Sequence, residues 1–469
     1  MMRRTKIVCT IGPASDTEKM IEKLILAGMN VARLNFSHGT HEYLHTLVQR
    51  IKRVRKRLKK PVAILQDLQG PKIRIGIIKG GAVQLMPDQD FILTSESIQG
   101  DSSRASVSLK TLPYEVTRGH PILLADGNIE LIVDKVSPPD IHCRVVVGGM
   151  LSSHKGINLP GSEVHVDCLT KKDRKDIHVG LEWGVDAIAL SFVRKASDVL
   201  SMRKLIASEG GQVPIIAKIE KHEAVTNIDS IIAVSDAIMV ARGDLGVEID
   251  LERVPLVQKQ IIQKCNHVGK PVITATQMLM RMVENPRPTR AEANDVANAV
   301  LDGTDAVMLS EETAAGKYPV EAVIMMDRIV RSAETSLSVA KFEHKAELAN
   351  TRDSISRSTY WIAKEISAAA IITPTWSGTS ASLVSRFRPK QPILATTPNE
   401  QALDFLALVW GVIPLLIPQS DTIDDLIRFS IQAARKAGHL HAGQHVVITG
   451  GVPLHIAGNT NFIKVEKVE

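Results

Sequence analysis

Apolar residues recur along the first two thirds of the chain in short unbroken runs, each following a stretch whose apolar positions fall at helical spacing. One phrase returns four times: Gly28-Met-Asn-Val-Ala-Arg-Leu-Asn35, Gly184-Val-Asp-Ala-Ile-Ala-Leu-Ser191, Ser235-Asp-Ala-Ile-Met-Val-Ala241 and Gly303-Thr-Asp-Ala-Val-Met-Leu-Ser310. A glycine ends a helix in the left-handed conformation, and the apolar run after it suits a parallel strand buried on both faces. Val62-Ala-Ile-Leu-Gln-Asp67, Pro214-Ile-Ile-Ala-Lys-Ile-Glu220, Pro271-Val-Ile-Thr-Ala-Thr276 and Lys6-Ile-Val-Cys9 bring the predicted strands to eight. Their ends, near residues 9, 35, 67, 191, 220, 242, 276 and 310, are mostly 22 to 34 residues apart. That is the spacing of a (β/α)8 barrel of roughly 250 residues.

One gap breaks the rhythm. Between Asp67 and Ser191 lie 124 residues, and removing about 30 for an ordinary unit leaves on the order of 90 inserted after the third strand. The inserted sequence alternates on a shorter period, as in Ala82-Val-Gln-Leu-Met86 and Ile129-Glu-Leu-Ile-Val133. Turn clusters at Gly80-Gly81 and Asp126-Gly127-Asn128 punctuate it, so a small β-barrel lid over the barrel mouth is predicted. Beyond the barrel, Ala369-Ala-Ile-Ile-Thr373, Pro392-Ile-Leu-Ala395 and His445-Val-Val-Ile-Thr449 alternate with helical stretches and predict an open α/β sheet. The expected domains are a catalytic barrel over 1–69 and 162–340, the lid over 70–161, and a C-terminal α/β domain for regulation and oligomerisation over 341–469.

Composition narrows the class. With 44% apolar and 23% charged residues in 469, the chain reads as an ordinary globular protein of several domains. The longest apolar run, residues 406–418, is broken by Gly411 and Pro414 and is shorter than the roughly 20 residues of a membrane helix. No signal-peptide core follows the basic start, and the four cysteines, Cys9, Cys143, Cys168 and Cys265, show no metal-type spacing. Free thiols and a cytoplasmic location are expected. The net charge of +6 comes from residues 50–60, which carry eight basic residues and no acid and leave the rest of the chain at −2. Leu47, Ile51, Val54 and Leu58 give that run an apolar inner stripe. A surface helix with a solvated basic face is expected there, rather than a surface for an anionic partner or nucleic acid.

In such a barrel, polar residues at the C-terminal strand ends carry a functional prior. They are Arg33, Asn35 and Ser37 after strand two, Asp67 after strand three, Lys218 and Glu220 on strand five, Arg242-Gly243-Asp244 after strand six, Thr276 after strand seven, and Ser310 and Glu312 after strand eight. Strand alternation sets the Lys218 ammonium and the Glu220 carboxylate on one face. With Asp244 they make a lysine beside two carboxylates, which is the usual protein share of a Mg²⁺ site with a cation to neutralise a transferred group. A purely structural Lys–Glu pair beside a turn aspartate has the same pattern. No G-x-x-x-x-G-K-[ST] loop, G-x-G-x-x-G, H-R-D or D-F-G occurs, which excludes the P-loop and protein-kinase classes.

Eight motifs carry a resemblance to the pyruvate kinase family, and they stand in the family's order. They are Val31-Ala-Arg-Leu-Asn-Phe-Ser-His-Gly39, Gln66-Asp-Leu-Gln-Gly-Pro-Lys-Ile-Arg74, Lys155-Gly-Ile-Asn-Leu-Pro-Gly161, Ala217-Lys-Ile-Glu220, Met239-Val-Ala-Arg-Gly-Asp-Leu-Gly-Val-Glu248, Ala275-Thr-Gln-Met-Leu279, Pro286-Arg-Pro-Thr-Arg-Ala-Glu292 and Met308-Leu-Ser-Glu-Glu-Thr-Ala314. The resemblance implies phosphoryl transfer between phosphoenolpyruvate and ADP, giving pyruvate and ATP. By it Arg33 holds the phosphoryl group, Lys218 stabilises its charge, Glu220 and Asp244 bind Mg²⁺ or Mn²⁺, and Thr276 or an ordered water protonates the enolate. Arg242, Gly243, Asp244, Thr276, Ser310 and Glu312 line the substrate site, and Asn35, His38, Arg74 and Lys155 meet the nucleotide. A lyase or aldolase on a similar barrel would need neither Arg74, Lys155 nor a lid. An adhesion reading of Arg242-Gly243-Asp244 would need an exported chain, and a dead sensor would not keep Lys218, Glu220 and Asp244.

The resemblance extends to a monovalent-cation site of Asn35, Ser37, Asp67 and the carbonyl of Leu68. K⁺-requiring relatives carry Thr, Lys and Glu where this chain has Leu68, Gln69 and Lys72. The likeness is therefore to K⁺-independent members without an extra C-terminal extension, with the Lys72 ammonium expected to replace the ion at the same oxygens and K⁺ not required. A hydroxyl-rich loop, Thr375, Ser377, Gly378, Thr379 and Ser380, precedes a helical run and suits a phosphate on an effector, a sugar phosphate or nucleotide, or else is an ordinary capped loop. A homotetramer is also implied.

Overall fold

The computed structural model describes residues 2–162, 166–337, 342, 350–454 and 458–469. Eight parallel strands close into a barrel in the ring order Lys6–Thr10, Ala306–Leu309, Val272–Ala275, Ala237–Ala241, Ile215–Ile219, Ala187–Leu190, Ala63–Asp67, Val31–Asn35. All eight coincide with the predicted runs, because strands buried on both faces leave an unbroken apolar signature. The repeated glycines do what the phrase implies: Gly28, Gly184 and Gly303 cap the preceding helices at φ of 131°, 64° and 101°. Val8, Leu65, Ile216, Met239, Ile273 and Met308 fill the barrel interior.

The insertion forms a six-stranded sheet, in the order Ile157–Asn158, Pro121–Leu124, Ile129–Ser137, Asp140–Val147, Asp90–Thr94, Arg104–Ser106, and a two-stranded pair, Gly149–Ser152 with Ala82–Leu85. Both contribute to one apolar core that includes Leu85, Phe91, Leu131, Val145 and Leu151. The expected small β-barrel is thus, in hydrogen-bonding terms, a sheet and a pair.

In the C-terminal domain the strand order is Val412–Leu416, Ile393–Thr397, Ala370–Pro374, His445–Gly450, Phe462–Lys467, the last antiparallel. Both edge strands escape the sequence reading. One contains Pro414, which an edge strand tolerates, and the other alternates apolar and charged residues over a largely exposed surface. Phe405 and Leu408 of this domain pack into the same cluster as the barrel interior and stopper its N-terminal end. The expected boundary at 340/341 lies outside the described residues.

The basic run forms the helix His41–Leu58, with Leu47, Ile51 and Val54 buried as the stripe predicts. Its polar face is less solvated than expected: Arg53 and Arg57 pair with Glu18, Arg57 with Glu22, and Arg55 with Asp186 and Asp404. All four cysteines are free and buried. Among the described residues no helix is long and apolar enough to cross a membrane.

Candidate active site

Five neighbouring strands bring one cluster together at the barrel mouth. The Lys218 ammonium lies 2.8 Å from Glu220 Oε1, 3.2 Å from Asp67 Oδ1 and 2.7 Å from Ser191 Oγ. Asp67 also pairs through Oδ2 with Arg33 Nε at 2.6 Å, and Arg33 Nη1 donates to Thr10 Oγ1 at 2.9 Å. Parallel register explains the meeting: Asn35 stands opposite Asp67, and Asp67 opposite Ala189, so the polar ends of neighbouring strands share one level.

Burial disfavours the Lys218 ammonium, but Asp67 and Glu220 outweigh it and hold the proton above the ordinary lysine range. Burial likewise pushes Asp67 up, yet Lys218 and Arg33 together bring its carboxyl below the usual range. Glu220 goes the other way, raised by burial against the pull of Lys218, with the charge of Asp244 adding to the rise. A buried carboxylate with a second carboxylate beside it is a hard-oxygen donor set that suits a divalent cation. Glu220 Oε2 accepts the Phe192 amide at 2.7 Å, which fixes the carboxylate's orientation.

Thr276 has φ of +67°, which is costly for a β-branched residue, and Gln277 and Phe192 follow at +55° and +56°. The strain sits at strand ends facing the site. Thr276 Oγ1 accepts the Gly243 amide at 2.7 Å and donates to Ala275 O at 2.6 Å. Strand six stops at Ala241, and residues Arg242–Leu245 form one helical turn. The Arg242 guanidinium meets Asp295 at 2.7 Å, Gln258 at 3.3 Å and Thr276 O at 2.7 Å.

Two expected substrate residues stand differently. Glu312 is fully buried, with Oε1 accepting the Leu279 amide at 3.0 Å and Oε2 the Ser310 amide at 2.7 Å, so in this conformation it orders the ends of strands seven and eight. Ser310 Oγ is buried without a hydrogen-bond partner among the described residues. On the lid, Arg74 and Lys155 are brought together by the bridge Arg74↔Gly156 and by the Ile75 amide on Lys155 O at 2.8 Å. His38 is exposed on the loop after strand two.

Lys72 departs from expectation. Its ammonium lies 3.4 Å from Asp244 Oδ1 and 3.8 Å from Asp126 Oδ1. The oxygens it was to meet are engaged elsewhere: Asn35 Oδ1 accepts the Ser37 amide at 3.0 Å, Leu68 O accepts Ser191 Oγ at 2.7 Å, and Asp67 faces Arg33 and Lys218. Proximity to the lid strands and to the turn after strand six draws the side chain there. Ser191 and Thr10, which tie the cluster, were missed as site residues. Both are polar groups ending buried strands, the signal used for the others.

In the C-terminal domain, Gly378 (φ +89°) precedes the short helix Thr379–Ser385, and its amide donates to Thr375 Oγ1 at 2.9 Å. Ser377 and Thr379 hydroxyls are 2.9 Å apart, and Ser380 meets Thr460 at 2.6 Å. Thr375, Trp376, Ser377 and Ser380 line a pocket shared with Ser420, whose buried hydroxyl has no partner among the described residues.

Comparison with known proteins gives two family matches: pyruvate kinase, barrel domain, over residues 2–323, and pyruvate kinase, alpha/beta domain, over residues 353–466. The chain is 46% identical to a pyruvate kinase of Clostridium acetobutylicum over the full length of both. It is 48% identical to a pyruvate kinase of Geobacillus stearothermophilus, covering all of this chain and 81% of that one. A solved pyruvate kinase from Cryptosporidium parvum superposes with a TM-score of 0.94 at 38% identity, covering all of this chain and 96% of the other.

Proposed function

The chain belongs to the pyruvate kinase family and moves the phosphoryl group of phosphoenolpyruvate onto ADP, giving pyruvate and ATP, and from that premise we propose how its residues divide the work. The observation that carries the division is Lys218, buried at the barrel mouth between Asp67 and Glu220. A cation held ionised in a low-dielectric site neutralises charge on the transferring phosphoryl oxygens and on the enolate left behind. Arg33, oriented by Asp67 and Thr10, holds the phosphoryl group. Glu220 and Asp244 are the residues that would hold Mg²⁺ or Mn²⁺, which when bound supplies positive charge to substrate oxygens.

The bond from phosphorus to the enol oxygen breaks as a bond from the terminal ADP oxygen forms, and the enolate takes up one proton at carbon. Thr276, donating to Ala275 O and strained into position, delivers that proton or orients the water that does. The Gly243 amide and Thr276 hydroxyl, now bonded to each other, part to receive the substrate carboxylate. Arg74 and Lys155 travel together on the lid and meet the ADP phosphates with Asn35 and His38, while closure excludes water. The paired cations of the lid favour this reading over a lyase on the same barrel. Ser310 lines the substrate site, and Glu312 positions it.

K⁺ is not required, because Lys72 brings a fixed positive charge to the Asp244 side of the site. The loop Thr375 to Ser380 takes a phosphorylated effector, its unpartnered neighbour Ser420 offering a further donor. The enzyme works in the cytoplasm as a homotetramer, with domain boundaries as the sequence gives them. Coupled to a pyruvate-consuming reporter, the protein is expected to form pyruvate only with phosphoenolpyruvate, ADP and Mg²⁺ or Mn²⁺ together, and to stop with excess chelator. Activity indifferent to chelator would remove Glu220 and Asp244 from the metal role. Light scattering checks the tetramer, and a panel of sugar phosphates and nucleoside monophosphates checks the loop.

A further inference from the structure

Asn158, at the exit of the lid, and Glu248, four residues beyond Asp244, are motif residues that the mechanism leaves unused. Both are nearly fully buried, at 5% and 3% exposure. Asn158 Nδ2 donates to Glu248 Oε1 at 2.9 Å, and Lys221 Nζ reaches the same oxygen at 2.7 Å. Lys221 directly follows Glu220, and the Glu248 amide bonds Leu245 O at 3.0 Å, closing the turn that carries Asp244. One carboxylate oxygen therefore joins the lid sheet, through Asn158 paired opposite Leu123, to the segments bearing both proposed metal ligands. The other oxygen, Oε2, is buried without a partner among the described residues. The lid meets the same stretch a second time: Lys72 bridges Asp126 and Asp244, and the turn at Gly127 faces Val247 so closely that an added Cβ would sit 3.3 Å from it.

We propose that Glu248 is a positioning residue that couples the lid to the divalent-metal site. Its two donors differ in kind. The Lys221 pair is a part-buried ion pair within the barrel, whereas the Asn158 bond comes from a neutral donor on the lid, the domain proposed to close. The lid bond is the one that can break and reform while the Lys221 pair keeps Glu220 and Asp244 in register. Outer partners of metal ligands that fix their geometry typically change metal affinity by about 10–100-fold when removed.

The inference rests on Glu220 and Asp244 as the metal pair, and Mn²⁺ binding by the full-length protein without substrates, followed by electron paramagnetic resonance, separates the two. If Glu220→Gln leaves Mn²⁺ binding as it is in the native protein, the metal-pair reading fails. If Glu220→Gln weakens it and Glu248→Gln does not, the coupling fails. The expected result is that Glu248→Gln weakens Mn²⁺ at least ~10-fold, raises the KM for ADP several-fold and speeds hydrogen exchange in residues 121–124 and 157–158. With metal saturating, its kcat stays within about threefold of native, a KM-against-kcat split that general loosening does not give. Asn158→Leu, which removes only the lid donor, is expected to speed the same exchange, raise the KM for ADP and weaken Mn²⁺ by less than Glu248→Gln does, because coupling between two sites is reciprocal. Unchanged lid exchange in Asn158→Leu would overturn the proposal even if Glu248→Gln did not fold.

Discussion

At the C-terminal mouth of the barrel, the partners of Lys218 among the described residues are the side chains of Asp67, Glu220 and Ser191. At the opposite end, Lys6 is just as deeply buried but leans on a backbone carbonyl, Val412 O at 2.6 Å, while Arg388 combines the Gly303 carbonyl at 2.7 Å with the side chains of Asp305 and Asn266. Side-chain partners can be exchanged for substrate or metal by a change of rotamer. A carbonyl in a strand or a helix cap cannot leave without moving the backbone. Burial of charge by itself therefore does not mark a catalytic site, and what distinguishes Lys218 is that its partners are all side chains at the barrel mouth, whereas Arg388 is also fixed to the Gly303 carbonyl and packed against the rings of Trp410 and Phe342.

The largest effect expected at the base is on stability. Arg388 also pairs with Asp305 at 3.0 Å and Asn266 at 2.7 Å, with Trp410 and Phe342 over its guanidinium. Arg388→Met leaves Asp305 buried without its cation and is expected to cost about 3–5 kcal/mol in urea unfolding. Its kcat at 25 °C should remain within about twofold of native. A large loss of kcat in a folded variant would erase the contrast between the two ends.

Asp404, on the helix Glu400–Phe405 that meets the barrel, gives a pH-dependent version of the same test. Burial, with Asp186 adding, pushes its carboxyl up to about 7 against the pull of Arg55. The folded state keeps this proton where the unfolded chain releases it, near ~4. The contribution to stability is therefore fully present below that value and is lost as pH rises to about 7. Asp404→Asn should flatten that slope, changing the difference between the two proteins by no more than about 4 kcal/mol across the window. Parallel urea curves at every pH would show that the carboxyl titrates normally.

The smallest effect is expected from K⁺. In tetramethylammonium buffer with Mg²⁺, added K⁺ should change activity by no more than about twofold, or ~0.4 kcal/mol of barrier. Lys72→Glu should lose activity without K⁺ and regain part of it with K⁺. A tenfold activation of the native enzyme would return the site to a dependence on the ion.

The two regions were also unequally legible. All eight barrel strands could be read because each is apolar on both faces, and the mouth residues because polar groups end those strands. The base was invisible: Arg388, Asp305 and Asp404 sit in segments whose meeting depends on how the C-terminal domain seats, which no local pattern encodes. Lys72 shows the same limit within the site. Its identity suggested an ion replacement at Asp67, but lid placement carried its ammonium to Asp244. Edge strands containing Pro414, or half exposed like Phe462–Lys467, lack the two-faced apolar signature and were missed for that reason.

If the buried cation at the mouth carries the chemistry, rapid-quench measurement of phosphoryl transfer in Lys218→Met, at saturating phosphoenolpyruvate, ADP and Mg²⁺, shows it most directly. The rate of the chemical step is expected to fall at least ~100-fold while the protein still binds its substrates. A folded Lys218→Met variant that transfers the phosphoryl group at near-native rate would contradict it.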